Sequence, residues 1–114
     1  TLWGDGSARR EFLHVDDMAK ACIHVMDNVP ASSIYDQGIS HLNIGSGKDI
    51  TIKELAEKIA QKTGFKGQII WDTSKPNGMP RKLLDSSRLN GMGWKPEISF
   101  DDGLDQTIQY FKKL

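Results

Sequence analysis

The stretch REFLHVDDMAKACIHVMDNVP, residues 10–30, changes its period half-way along. Glu11-Phe12-Leu13-His14-Val15 is a short run with branched and aromatic content, which predicts a strand, and Asp16 and Asp17 supply carboxylates suited to a helix start. From Met18 onward the apolar residues Met18, Cys22, Val25, Met26 and Val29 fall on one helical stripe that stops before Pro30. A strand feeding a helix that lies on a core is the expectation. Cys22 sits in the buried stripe as a small hydrophobe, and His24 sits on the polar side. The class is mixed α/β.

The rest of the chain extends this pattern. The polar, Ser-rich segment from Ala31 to Gly38 is expected to be a loop, and His41-Leu42-Asn43-Ile44 a second short strand ending in Gly45-Ser46-Gly47. Thr51 and Glu54 form a capping box, and Ile52, Leu55, Ala56, Ile59 and Ala60 repeat at helical spacing until Gly64 marks the stop. Gln68 to Asp72 is strand-like, and Asp85 to Met92 predicts a short helix closed by Gly93. Ser99 and Asp102 cap a last helix whose apolar face is Phe100, Leu104, Ile108 and Phe111, despite Gly103, which costs about 1 kcal/mol against Ala. About three main helices and several short strands follow, with no internal repeat or low-complexity tract.

Composition bounds the function. The chain has 114 residues, fits one domain, and is 38% hydrophobic, enough for a modest core. Lys plus Arg and Asp plus Glu both total 15, so no global field favours a polyanion and a nucleic-acid partner is not expected. One cysteine allows no internal disulfide, and no apolar run approaches the roughly 20 residues of a membrane span. A reduced, cytoplasmic setting without membrane association is the expectation. The chain opens at Thr1-Leu2-Trp3 with no initiator methionine and no lead-in to a first element, which suggests a piece of something longer.

The segment SKPNGMPRKLLD, residues 74–85, stiffens a basic loop with two prolines and an Asn-Gly turn. It either presents Lys75, Arg81 and Lys82 to an anion such as a diphosphate, or is a solvated loop with incidental charges. The stretch from Trp3 to Arg10 sets a glycine-rich turn between an aromatic and an Arg pair. Trp3 could cover a sugar or base and Arg10 reach a phosphate, or the stretch is a hairpin turn with Trp3 in the core. It lacks the third glycine of a dinucleotide fingerprint, and Gly45-Ser46-Gly47-Lys48 fails the phosphate-loop pattern because Asp49 follows Lys48 where a Ser or Thr is required. His14, His24 and His41 stand singly, so no metal site is assigned. Asp16-Asp17 reads as helix-start residues more readily than as an acid/base dyad.

Taken together, Trp3-Gly4-x-Gly6, Arg10 to Ala19, Asn43-x-Gly45-x-Gly47 and the segment from Ser74 to Asp85 resemble the C-terminal portion of the GDP-L-fucose synthases, a family of extended short-chain dehydrogenase/reductases. The 74–85 segment is the sharpest of these motifs. The resemblance runs in order through essentially all 114 residues. It implies the C-terminal part of an NAD(P)-binding Rossmann-type enzyme: a small mixed α/β substrate domain, with strands around 11–15 and 42–45 completing the parent's sheet. The parent would epimerise GDP-4-keto-6-deoxy-mannose at two carbons and reduce its ketone with NADPH.

 The resemblance thus implies a homodimeric parent bound to a GDP-sugar substrate, with NADP(H) as its cofactor and none expected on this chain alone. The nucleotide fingerprint and the catalytic Ser, Tyr, Lys, Cys and His would lie upstream, leaving no catalytic residue here. Carried over by position, Trp3, Arg10 and Lys82 fall on substrate-contacting positions, with Arg81 a second-rank candidate. Asn77 falls where the family usually shows Asp, which keeps an acceptor oxygen but loses the charge.

Two other readings stand beside this one. The parent could act on a different nucleotide sugar, as a UDP-sugar epimerase or dTDP-sugar dehydratase does, or the chain could be a binding or scaffolding domain with no chemistry. Strands meant for a larger parallel sheet would leave open edges, so the chain alone is expected to be weakly stable and to associate with itself.

Overall fold

The computed structural model describes residues 1–114. In chain order the elements are β1 (Leu2–Trp3), β2 (Arg9–Glu11), α1 (Val15–Asn28), α2 (Ser32–Tyr35), β3 (Asp49–Thr51), α3 (Ile52–Thr63), β4 (Trp71–Asp72), β5 (Arg81–Lys82), α4 (Ser87–Gly91) and α5 (Phe100–Phe111). Two small sheets form. β1 pairs parallel with β4, while β2 is the centre of a three-stranded sheet, antiparallel to β3 and parallel to β5. β1 and β2 therefore lie in different sheets, and the glycine-rich turn between them is not a hairpin.

The mixed α/β class and the three main helices agree with the sequence. The capping box is complete at α3: the Thr51 hydroxyl accepts from the Glu54 N–H, and the Glu54 carboxylate accepts from the Thr51 N–H. Gly64 closes that helix in the left-handed region at φ 71°. Ser99 caps α5 by accepting from the Asp102 N–H.

Several boundaries differ for local reasons. The strand expected at 11–15 lies at 9–11, because only Arg9 to Glu11 have partners in β3 and β5. Residues 12–14 run on without a strand, and His14, not Asp16 or Asp17, is the N-cap of α1, its Nδ1 accepting from the Asp16 N–H at 3.3 Å. His41 to Ile44 is not a strand, since no strand of this chain pairs with it. Its Leu42 and Ile44 instead pack on the core. The strand expected at 68–72 shortens to Trp71–Asp72, the loop expected at 31–38 contains the short helix α2, and Arg81-Lys82 leaves the basic loop to become β5.

Much of the apolar stripe of α1 is turned outward, with Met18, Cys22 and Met26 exposed while Val25 and Val29 are half-buried. Met26 is 84% exposed. The inward side carries Asp17 and Ala21, both fully buried. Ala21 is small where Leu89 and Trp94 close around it, with Leu13, Val25, Leu42 and Ile44 packed at the margin. Asp17 is tolerated because its Oδ2 accepts from the N–H groups of Glu97 and Ile98 at 3.2 and 2.9 Å, fixing the turn before α5 to the start of α1. His24 likewise faces the protein, its Nε2 bonded to the Met92 carbonyl at 2.8 Å.

A second packing region lies between α3 and α5. Lys58 and Lys62 bridge to Asp101 and Asp105 at 2.7 Å each. Phe12 meets Phe100 at 5.9 Å between ring centroids. The glycine expected to weaken α5 has a packing reason, because a Cβ on Gly103 would come within 3.1 Å of the His14 ring.

These regions do not merge into one compact core. The radius of gyration is 17.3 Å, against about 13 Å for a compact domain of this length. The accessible surface is 8151 Å², against roughly 6,200 Å² for a compact monomer of this mass.

Candidate functional site

The site is built where the strand order gathers four basic side chains. In parallel β2 and β5, Arg9 lies beside Arg81 and Arg10 beside Lys82. Successive side chains of a strand point to opposite faces, so one Arg pair shares one face and Arg10 and Lys82 share the other. Asp49, beside Glu11 on β3, belongs with the first pair.

The contacts follow that division. Asp49 takes the Arg9 guanidinium on Oδ1 at 3.0 Å and Arg81 Nε on Oδ2 at 2.5 Å, with its side chain only 5% exposed. These two guanidinium groups, Arg81 first, hold the Asp49 carboxyl below its ordinary pKa. Arg81 is thereby occupied on the face away from Lys82. Neither Arg10 nor Lys82 has a carboxylate partner. Arg10 Nη1 donates to the carbonyls of Arg9 and Met79 at 2.7 Å each, which holds the 74–80 loop against β2.

The loop is pinned at its other side by Asn77. Its Oδ1 accepts from the Asp5 N–H at 2.8 Å, and it lies so close to Gly4 that a Cβ there would sit 2.1 Å from it. Gly4 also has φ 78°, so both space and backbone require glycine. The acceptor oxygen of Asn77 is thus already engaged within the chain. The Asp5 carboxyl, held below its ordinary pKa by Ser7 and then by Asn77, completes this turn.

Trp3 is not a core residue. It is 70% exposed at the end of β1, with Lys75 Nζ 5.9 Å from the ring centroid, within cation–π range. An exposed indole, two unpaired basic residues on one strand face and a pinned loop form a surface suited to an aromatic, anionic ligand. Arg10 also borders a cleft of about 780 Å³ between the three-stranded sheet and α5, with Phe12, His14, Lys48 and Phe100 among its walls.

The Gly45-Ser46-Gly47 turn has a different role. Glu11 Oε1 accepts from the Gly47 N–H at 2.7 Å, and Oε2 accepts from the Leu84 N–H at 3.0 Å. A carboxylate therefore fills the place where a phosphate loop would hold its anion. Sequence alone gives neither Glu11 nor Asp49 a part in the site, although Glu11 lies within the quoted 10–30 stretch and Asp49 directly follows Lys48. Among the described residues no group of His, Cys, Asp and Glu could hold a metal ion.

The model of the NAD-dependent epimerase/dehydratase family matches residues 1–45. Over 110 residues the chain is 53% identical to a putative GDP-L-fucose synthase 2 from Arabidopsis thaliana, covering 96% of this chain and 31% of that protein. Over 114 residues it is 51% identical to the GDP-L-fucose synthase of Escherichia coli K12, covering 96% of this chain and 35% of the other. The family match is confined to the first 45 residues, while the likeness to the proteins named GDP-L-fucose synthase runs over nearly the whole chain. The chain spans about a third of the length of these curated relatives. Among solved structures, a GDP-6-OMe-4-keto-L-xylo-heptose reductase from C. jejuni superposes with a TM-score of 0.90 at 36% identity, over 98% of this chain and 33% of that one. A UDP-glucose 4-epimerase from Thermotoga maritima superposes at 0.81 with 25% identity, over 98% and 34%. No helix is long and apolar enough to cross a membrane.

Proposed function

We propose that this chain is the substrate-side portion of a GDP-sugar epimerase-reductase, acting on GDP-4-keto-6-deoxy-mannose in the manner of a GDP-L-fucose synthase. The observation that carries the reading is the pairing of Arg10 with Lys82 on one face of β2 and β5, both free of carboxylates, with the 74–80 loop linking Arg10 through Met79 to the exposed Trp3 through Lys75. The diphosphate would lie against this pair, with Lys82 as a compact charge and Arg10 offering the donors not spent on Met79. Trp3 would cover a flat or apolar face of the ligand, and Lys75 would flank it. Asn77 would act chiefly by holding the loop, with its Nδ2 left as a donor. Arg81 is assigned to Asp49 and not to substrate.

NADP(H) would supply the hydride from the part of the enzyme outside these residues, because the glycine turns here are occupied by Asn77 and Glu11. The 114 residues would constitute one substrate-binding unit that also completes the parent's sheet, in a homodimeric, cytoplasmic enzyme. Alone, the unit would be inactive and would self-associate through its surplus surface. Sedimentation of the 114-residue chain over a wide concentration range tests that point; a monomer throughout would refute it.

The test of the function uses the full-length polypeptide that carries this chain. NADPH consumption with GDP-4-keto-6-deoxy-mannose, inhibited by GDP more strongly than by UDP, is the expected result. Preference for UDP would favour a UDP-sugar enzyme, and no turnover with any nucleotide sugar would refute the proposal.

A further inference from the structure

The two carboxylates on the opposite face of the sheet from Lys82 form a grip on β5. Glu11 and Asp49 are register partners across β2 and β3. Asp49 takes the side chain of Arg81, one residue before Lys82, and Glu11 takes the backbone N–H of Leu84, two residues after it. β5 is only two residues long and lies at the edge of its sheet, so its ladder alone defines the register weakly. A slip of one residue would carry Lys82 to the face now held by Arg81.

We propose that Asp49 and Glu11 are positioning residues for substrate: by holding Arg81 and Leu84 they fix the register of β5, and so decide that Lys82 and not Arg81 faces the diphosphate. The proposal rests on the functional reading above. It assigns Arg81 an indirect part. The guanidinium does not meet the ligand, and its loss is felt through Lys82.

Steady-state kinetics of the full-length enzyme test this with Asp49→Asn, Arg81→Met, Lys82→Ala and the doubles that combine each of the first two with Lys82→Ala. A charge-assisted contact to phosphate corresponds to roughly tenfold or more in binding. Lys82→Ala is therefore expected to raise KM for the GDP-sugar about tenfold. Asp49→Asn and Arg81→Met should each raise KM several-fold with kcat within about twofold of the parent. Each double should be no worse than Lys82→Ala alone, because the single effects share one route. Arg81→Met, at an exposed side chain, keeps the test open if Asp49→Asn does not fold. Doubles whose effects multiply, or an Asp49→Asn or Arg81→Met enzyme with unchanged KM while Lys82→Ala weakens binding, would overturn the positioning role alone. An unchanged KM in Lys82→Ala would overturn the diphosphate reading and this inference with it.

Discussion

Replacing Gly45 by Ala tests the Glu11 hub directly. Gly45 has no positive φ, so alanine is acceptable to the backbone and would gain about 0.5–1 kcal/mol by restricting the unfolded chain. Its Cβ, however, would lie 2.5 Å from Glu11 Oε1 and 2.8 Å from both Cδ and Oε2. The carboxylate must move, and it then leaves the N–H groups of Gly47 and Leu84. Hydrogen bonds to a charged group contribute about 1.5–3 kcal/mol each, and both lie at the surface, so the lower end applies and about 3 kcal/mol is lost. The net cost is about 2 kcal/mol. In equilibrium urea unfolding of the chain followed by tryptophan fluorescence, this corresponds to a midpoint lowered by roughly 1 M. In a Glu11→Ala background, where nothing is left to collide, Gly45→Ala should be neutral or slightly stabilising. An unchanged midpoint in the single variant, or simple addition in the double, would refute the argument.

Leu89 is fully buried at the centre of the small core, and Leu89→Ala should cost about 3 kcal/mol in the same unfolding experiment. Asp17→Ala would strip the Glu97 and Ile98 N–H groups of their acceptor and should cost about 2–4 kcal/mol, with faster amide exchange at both. The Asp49 pKa is lowered in the folded chain, first by Arg81 and then by Arg9. Its contribution is therefore complete above the unfolded value of about 3.9 and fades as pH falls through the lower folded value. Asp49→Asn should flatten the acid limb of the stability–pH curve, and an identical slope in parent and variant would contradict that origin.

The elements with local chemistry were legible in the sequence. Thr51, Glu54 and Gly64 bound α3 through contacts a few residues apart, and Ser99 caps α5 in the same way. What the sequence hid depends on distant partners. The α1 stripe marks a helix correctly, yet which side this chain covers is decided by Leu89 and Trp94, roughly 70 residues on, and they select Ala21 and Asp17. The stretch at 41–44 has strand composition but no neighbour to pair with. At the site, residue type and resemblance single out Trp3, Arg10 and Lys82, and the structure leaves Arg10 and Lys82 without a carboxylate partner and Trp3 exposed. Arg81 looks equivalent to Lys82 in sequence, and only the alternation of β5 against β2 and β3 separates them. Glu11 and Asp49 escaped notice because an isolated carboxylate carries no local sign of what it will hold.

The facing carboxylates of Glu11 and Asp49 also bear on the order of assembly. Like charges opposite one another on adjacent strands repel, so the β2–β3 pair is disfavoured while it stands alone. Arg9 relieves part of that repulsion from within the pair, but the Arg81 side chain and the Leu84 N–H come from β5 and the residues just after it, beyond the loop that follows β4. Closing that long separation is slow and entropically costly. The three-stranded sheet should therefore form late and as a unit, with the arrival of residues 81–84 as the step that makes the earlier strand pairing permanent.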